Sequence, residues 1–306
     1  MANVASVNSL LEAPLDELLA QANKIRKKFI GRNLELCSII NAKSGYCQED
    51  CKFCAQSQHH SAKIPAYSLK TREEIVEAAK KAKAAGAEKF GIVTSGNRLT
   101  KKELEVIVEA AFEIKDRVGI TLCGSLGALK QEELKLLKDA GFFRYHHNLE
   151  TSQNFYPQIV STHSFKERVD TIKAAKDLGF EVCSGGIIGL GETWQDRIDI
   201  AQTLNQLEVD SVPINFLVPI KGTPLENYKP ISAQDAIRTI CIFRIILKDK
   251  IIKIAAGRET VLKSFQKQGF RAGANGMLIG GYLTVKGQSL KQDYELIEQI
   301  QDLWKE

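Results

Sequence analysis

Three cysteines, Cys47, Cys51 and Cys54, stand at spacing C-x3-C-x2-C in the polar run Gly45-Tyr46-Cys47-Gln48-Glu49-Asp50-Cys51-Lys52-Phe53-Cys54. Thiolates are the natural ligands of iron–sulfur clusters, which commonly take four of them. Three can hold three corners of a 4Fe–4S cube and leave one iron open to a substrate or cofactor. The competing chemistry is zinc: with His59 or His60 the cysteines would form a Cys3His set of similar ligand steps. A paired C-x2-C would suit zinc. The x3 step followed by x2, with the aromatic Phe53 inside, suits the cluster, and the cluster is the expectation.

The chain has seven cysteines, an odd number, which favours metal or redox chemistry over disulfides in a reducing compartment. Cys37 falls in Leu36-Cys37-Ser38-Ile39, Cys123 ends an apolar strand pattern, and Cys183 opens Cys183-Ser184-Gly185-Gly186. Each alone reads as a small core hydrophobe, as Cys241 does beside Ile240, Ile242 and Phe243. Together, three strand cysteines facing one interior would make a second metal site below the first. Arg258, in Ala256-Gly257-Arg258-Glu259, begins a helix, where the dipole disfavours a cation. A task at the site would explain it, as would simple pairing with Glu259. The segment Tyr145-His146-His147-Asn148-Leu149-Glu150-Thr151 is a dense polar set at a strand end and reads as ligand contacts. Asn215 is a lone amide in the apolar run Val212-Pro213-Ile214-Asn215-Phe216, able to satisfy backbone or to bind a polar ligand. Gly185-Gly186-Ile187-Ile188-Gly189 allows close backbone approach to a ligand.

These residues need a scaffold, and the sequence repeats one. Apolar strand patterns begin near residues 34, 88, 118, 143, 181, 211, 251 and 276, with helical patterns between them. Helix starts carry Thr71/Glu74, Thr100/Glu103, Ser164/Glu167, Thr193/Asp196 and Ser232/Asp235, each a hydroxyl with an acid three residues on. Eight strand–helix units without a linker predict a complete (β/α)8 barrel of the TIM type in one domain. The expected division is a helical N-terminal extension over 1–33, with Leu15, Leu18, Leu19, Ala22 and Ile25 on one face as a cap, a barrel over 34–285, and a C-terminal helix over 286–306. Chemistry in such a barrel sits at the C-terminal ends of the strands, and the cysteine loop follows the first strand.

Composition narrows the partners. Lys plus Arg number 42 against 37 Asp plus Glu, a formal charge of +5, mild enough for small anions and without the basic stripe of a nucleic-acid binder. No run approaches the ~20 apolar residues of a membrane span. The first ten residues lack the pattern of a signal peptide, so a cytoplasmic protein is expected.

The cysteine loop, with Phe53 before its last cysteine, resembles that of the radical S-adenosylmethionine enzymes. Further along, residues 147–151, 182–193 (Val-Cys-Ser-Gly-Gly-Ile-Ile-Gly-Leu-Gly-Glu-Thr), 211–215, 221–224, 256–259 and 272–275 resemble, in order, the biotin synthase family. The resemblance implies sulfur insertion into dethiobiotin to form biotin, started by a 5′-deoxyadenosyl radical from S-adenosylmethionine, with sulfur drawn from an auxiliary iron–sulfur cluster. It implies that Cys47, Cys51 and Cys54 hold the 4Fe–4S cluster and that the Phe53 backbone meets adenine. It assigns Asn148 and Glu150 to the ribose and nearby substrate, Arg168 to the methionine carboxylate, Gly186 and Ile187 to the cofactor, and Asn215 to dethiobiotin. Cys123, Cys183 and Arg258 match auxiliary-cluster ligands. It also implies a flavodoxin- or ferredoxin-type electron donor and a homodimer.

The sequence departs from the family at one ligand. The usual second-strand cysteine aligns with Gly91, and no cysteine lies between Cys54 and Cys123. Cys37 stands where the family has serine, on the neighbouring first strand. The expectation is that Cys37 replaces the missing ligand and that the auxiliary cluster is either 2Fe–2S or a four-iron variant with an expendable sulfide. His146 for asparagine and Glu150 for aspartate are further departures. Two other readings stay open: a sister radical enzyme, such as a mutase or a metallocluster-maturation enzyme, and a non-catalytic zinc-binding protein.

Overall fold

The computed structural model describes residues 9–283 and 287–305. The expected boundary at 285/286 and residues 1–8 lie outside them. The strands, all parallel, are β1 Glu35–Lys43, β2 Lys89–Thr94, β3 Thr121–Ser125, β4 Phe142–His146, β5 Glu181–Cys183, β6 Gly186–Ile188, β7 Ser211–Phe216, β8 Ile251–Ile254 and β9 Gly276–Leu278. Their order is β5-β4-β3-β2-β1-β9-β8-β7-β6, and a β5–β7 pairing closes the ring. β5 and β6 together fill one barrel position, so the fold is the expected closed (β/α)8 barrel of eight strand positions.

Around it lie α1 Leu15–Phe29, α2 Arg72–Ala84, α3 Lys101–Arg117, α4 Gln131–Asp139, α5 Phe165–Asp177, α6 Trp194–Gln206, α7 Ala233–Leu247, the short α8 Arg258–Val261, α9 Gln266–Arg271 and α10 Leu290–Leu303. Helices α2, α3, α5 and α6 begin on full capping boxes at Thr71, Thr100, Ser164 and Thr193. In each, the cap hydroxyl accepts an orphan backbone N–H and the acid returns a bond to the cap's own N–H. At Ser232 the hydroxyl accepts the Asp235 N–H, without the return bond. The apolar stripe of α1 packs beside α7, burying Leu18 and Ala22. The core is continuous from the outer strand faces to the inner helix faces. Among the described residues, no helix is long and apolar enough to cross a membrane.

The split between β5 and β6 has a local cause. Pro213 in β7 has no N–H to offer the ladder. Gly185 passes so close over it that a Cβ there would strike the Pro213 carbonyl. The ladder therefore runs Cys183↔Ser211, skips, and resumes at Gly186↔Ile214. The skip leaves the backbone groups of Gly185 free to bond the segment after β4.

Candidate active site

A cavity of about 440 Å³ opens at the C-terminal ends of the strands. Cys47, Cys51, Phe53 and Cys54 line it from the loop after β1. The loop is held by its own backbone and by the loop after β4. The Cys47 N–H donates to Gln56 O (3.1 Å), the Gln58 N–H to Cys47 O (2.8 Å) and the Cys54 N–H to Cys51 O (2.9 Å). The Lys52 N–H donates to Ile159 O (3.0 Å), and the Asp50 carboxylate accepts from the backbone N–H groups of Ser161 and Thr162. None of these bonds uses a thiol, so all three sulfurs are available to a ligand. Tyr46, just before the first cysteine, sits at φ 53°, a left-handed conformation that costs a non-glycine residue energy and sets the loop's sharp entry.

His59 and His60 do not join the cysteines. His59 Nε2 lies 2.8 Å from Gln48 O and His60 Nε2 3.0 Å from Cys51 O. Among the described residues, no group of three His, Cys, Asp or Glu converges on a single-ion position. A cube, whose corners stand apart, makes no such demand.

The wall beside the loop is built on the β5–β6 break. Leu149 and Glu150 donate their N–H groups to Gly185 O (3.0 and 3.1 Å), and Asn148 Oδ1 accepts the Gly185 N–H (3.1 Å). Glu150 holds φ 70°, and a Cβ at Gly186 would strike its carbonyl. Gly186 is thus required by the approach of this backbone and does not itself line the cavity, whereas Ile187 does. Asn148 Nδ2 donates to Glu150 Oε2 (3.4 Å). Arg168, from α5, donates Nε–H to Tyr156 Oη (2.7 Å) and Nη1–H to Asn148 O (2.9 Å). Its Nη2 stands 2.8 Å from His163 Nε2, whose Nδ1 faces Glu49 Oε2 at 2.8 Å. An arginine only donates, so Nε2 accepts and Nδ1–H donates to Glu49. Burial and the neighbouring Arg168 keep His163 below the usual histidine range despite Glu49. Arg168 is therefore aimed through three partners, one of which reaches back to the cysteine loop. Burial raises the Glu150 carboxyl despite Arg168.

Cys37, Cys123 and Cys183 are buried, unbridged and line the same cavity more deeply, from β1, β3 and β5. Gly91 lies level with Cys123 on the adjoining strand. A Cβ at Gly91 would stand 3.0 Å from Ile39 Cγ2, so the β1 side chain occupies the room a β2 side chain would need. Burial raises the Cys37 thiol and pushes Cys123 up to about 12 and Cys54 up to about 11. Cys183 is the exception: burial raises it, but Lys253, His146 and Arg144 outweigh that and bring it to about 6.

The deep cation is Lys253 of β8, not Arg258. Lys253 Nζ lies 3.1 Å from Cys37 Sγ and 2.8 Å from Glu35 Oε1. Burial works against this ammonium, but Cys37, Cys183 and Glu35 together outweigh it and hold the proton. Arg258 does not line the cavity. Gly257 does, and the next side chain turns away to donate Nη2–H to Asp293 Oδ1 of α10 (2.7 Å) and to Glu259 (3.2 Å). The unfavourable start of α8 is thus offset by an ion pair buried to within 2% exposure at both partners. Arg258→Met is expected to destabilise the fold by about 3 kcal/mol or more, because it strands Asp293. Iron content after anaerobic reconstitution is expected to be unchanged. Denaturant unfolding and iron analysis check the two halves.

Asn215 lines the cavity with both ends of its amide engaged: Nδ2 donates to Gly186 O (3.2 Å), and Oδ1 accepts the Ala256 N–H (3.1 Å). It clamps the strand break to the loop after β8. Cys241 is buried in α7, away from the cavity. Sequence reasoning missed Glu35, Arg144 and Lys253. The available signal was a charge inside an apolar strand: Leu34-Glu35-Leu36, Phe143-Arg144-Tyr145 and Ile252-Lys253-Ile254.

The cavity suits sulfur-ligated iron and a polar organic ligand. Its soft donors are six cysteine thiols in two groups. Thr94 Oγ1 and His147 Nε2, buried at the cavity wall, have no partner among the described residues, and burial and Arg168 keep His147 neutral. Such atoms call for a ligand or water.

Residues 42–204 match the Radical SAM superfamily and residues 213–301 the Biotin and Thiamin Synthesis associated domain. The biotin synthase of Thermotoga petrophila is 49% identical over 97% of this chain and 98% of its own length. That of Thermotoga neapolitana is 53% identical over 88% and 97%, and that of Clostridium acetobutylicum 49% over 93% and 87%. Among solved structures, a methylornithine synthase superposes with TM-score 0.83 at 22% identity, covering 95% of this chain and 90% of its own. The FeFe-hydrogenase maturase of Carboxydothermus hydrogenoformans gives 0.82 at 17%, covering 97% and 74%. At those identities the two structures attest the fold alone.

Proposed function

The chain belongs to the biotin synthase family of radical S-adenosylmethionine enzymes, and from that premise we propose that it inserts sulfur into dethiobiotin to form biotin. One observation carries the reading: six thiols line one cavity, three on a loop at the mouth and three on separate strands below. When bound, a 4Fe–4S cluster with S-adenosylmethionine supplies a 5′-deoxyadenosyl radical, and a second iron–sulfur cluster supplies sulfur.

The chain's part is to hold, orient and shield. Cys47, Cys51 and Cys54 would hold the radical cluster and leave one iron for the methionine moiety. Arg168, already aimed by Tyr156, Asn148 and His163, would meet its carboxylate. Phe53 and Ile187 would flank the adenine, and Asn148 and Glu150 the ribose. Asn215 would face dethiobiotin; its amide spends its strongest bonds on backbone, which makes it a rigid wall more than a free donor. Cys37, Cys123 and Cys183 would hold the auxiliary cluster, for which we favour a four-iron type, since Cys37 approaches from a different strand than the family's usual ligand. The closed barrel keeps water and stray hydrogen donors from a radical while reactants are held in line. A flavodoxin- or ferredoxin-type donor would deliver electrons at the mouth loop, where Tyr46 is 69% exposed.

The test is an anaerobic assay of the iron- and sulfide-reconstituted protein with dethiobiotin, S-adenosylmethionine and a reductant. Biotin is expected together with 5′-deoxyadenosine. Deoxyadenosine without biotin would move the chain to a sister enzyme of the same barrel. Colourless protein carrying zinc would overturn both.

A further inference from the structure

The interior of this barrel is charged where such interiors are usually filled by branched apolar side chains. Glu35, Lys89, Arg144, Glu181 and Lys253 project from five strands into one network. Glu35 accepts from Arg144 Nη1 (2.6 Å) and Nη2 (3.0 Å), from Lys89 Nζ (2.7 Å) and from Lys253 Nζ (2.8 Å). Arg144 also donates to Glu181 Oε2, from Nε (3.0 Å) and Nη2 (2.7 Å). Three cations meet two carboxylates, so the network carries one surplus positive charge. The side of the network that faces the cavity is the side with thiols, so this surplus is directed at sulfur. Two members meet Cys37 there: Lys253 Nζ donates to its Sγ at 3.1 Å, and Glu35 Oε1 lies 3.6 Å from the same sulfur.

We infer that Lys253 is a positioning residue of the auxiliary site: as a fixed ammonium it orients Cys37 Sγ and places the network's surplus charge against the sulfur of the bound cluster, without bonding the metal. This rests on the reading that Cys37, Cys123 and Cys183 hold that cluster. An ammonium has no lone pair for a metal, and this one is already an ion-pair donor to Glu35. Outer-shell donors to ligand sulfurs, together with local net charge, set cluster potentials. A cation beside the sulfur favours the reduced, more negative state. Glu35 works the other way, because it neutralises part of that cation.

The inference predicts shifts of opposite sign. In anaerobically reconstituted protein, Lys253→Met is expected to retain the auxiliary iron and sulfide, while the equilibrium constant for reducing that cluster falls by about tenfold, equivalent to about 59 mV for one electron. Glu35→Gln is expected to raise it. Redox titration followed by Mössbauer spectroscopy reads both. Lys253→Met leaves Glu35 paired with Arg144 and Lys89, so no carboxylate is stranded, and Glu35→Gln carries the test should the first variant not fold. Unchanged potentials, shifts of the same sign, or loss of auxiliary iron in Lys253→Met would each overturn the inference. Cys123→Ala separates it from its premise. If that variant keeps the parent's iron content, the cluster is not on these cysteines and the premise itself fails. If Cys123→Ala loses iron but Lys253→Met titrates like the parent, only the role of Lys253 fails.

Discussion

Cys51→Ala is expected to abolish both 5′-deoxyadenosine and biotin formation, by more than about a thousandfold, because the cofactor and not a side chain carries the chemistry. Iron is expected to fall by about four atoms per chain. The fold should survive. Cys51 is buried, and its carbonyl, not its sulfur, anchors the loop by accepting the Cys54 N–H and facing His60. Loss of one buried sulfur costs about 1 kcal/mol of apolar burial, small against the stability of a domain this size. Burial raises the Cys51 thiol despite Arg168 nearby, so in the metal-free protein the group is a neutral core atom that alanine imitates well. Circular dichroism would report an unchanged fold, iron analysis the missing cluster, and product chromatography the missing deoxyadenosine. Persistent deoxyadenosine would remove the loop from the radical chemistry.

The barrel was legible because its signals are local. A capping box needs only residues three positions apart, and Thr71, Thr100, Ser164 and Thr193 each announce a helix regardless of what packs on it. The mouth loop was legible for the same reason, since its three cysteines lie within eight residues. What was not legible depends on pairing across strands. The β5–β6 break is caused by Pro213, some thirty residues away along the chain and adjacent only in the sheet. That break turns Gly185 toward Asn148 and Glu150.

The choice between Arg258 and Lys253 shows the limit most clearly. From sequence, a cation at a helix start invites a functional explanation. The structure satisfies it with Asp293 of α10, a partner that no local pattern reveals. Lys253 lies in β8 with apolar residues flanking it on both sides, Ile252 and Ile254. Strand side chains alternate faces, so a charge one residue from the end of a buried strand must either reach the barrel interior or lie under a helix. Its partner Glu35 stands on the strand two positions around the ring, past β9. Only closure of the barrel brings the two together.

Cys37→Ala is expected to separate the two halves of the reaction. Deoxyadenosine formation should persist, since Cys47, Cys51 and Cys54 are untouched. Biotin should fall to background, and the auxiliary iron should be lost: about two atoms per chain for a 2Fe–2S cluster, about four for a four-iron type. The argument is one of supply. β2 presents Gly91 where the family's cysteine aligns, and Ile39 of β1 fills the space beside it. The β1 residue that turns to the cavity is then Cys37, which precedes Ile39 on the same face by one alternation. Its sulfur lies against Lys253 and within 3.6 Å of Glu35 Oε1, in the same cavity as Cys123 and Cys183. A plain core cysteine would be surrounded by apolar atoms; this one lies between the Lys253 ammonium and the Glu35 carboxylate, and the ammonium is the neighbour a metal-bound thiolate would keep. Alanine here removes the ligand but leaves the Lys253–Glu35 pair intact, so the loss of iron would report the missing sulfur and not a collapsed interior. An auxiliary iron count equal to the parent's would return Cys37 to the core and require the cluster to be held by Cys123, Cys183 and some other group.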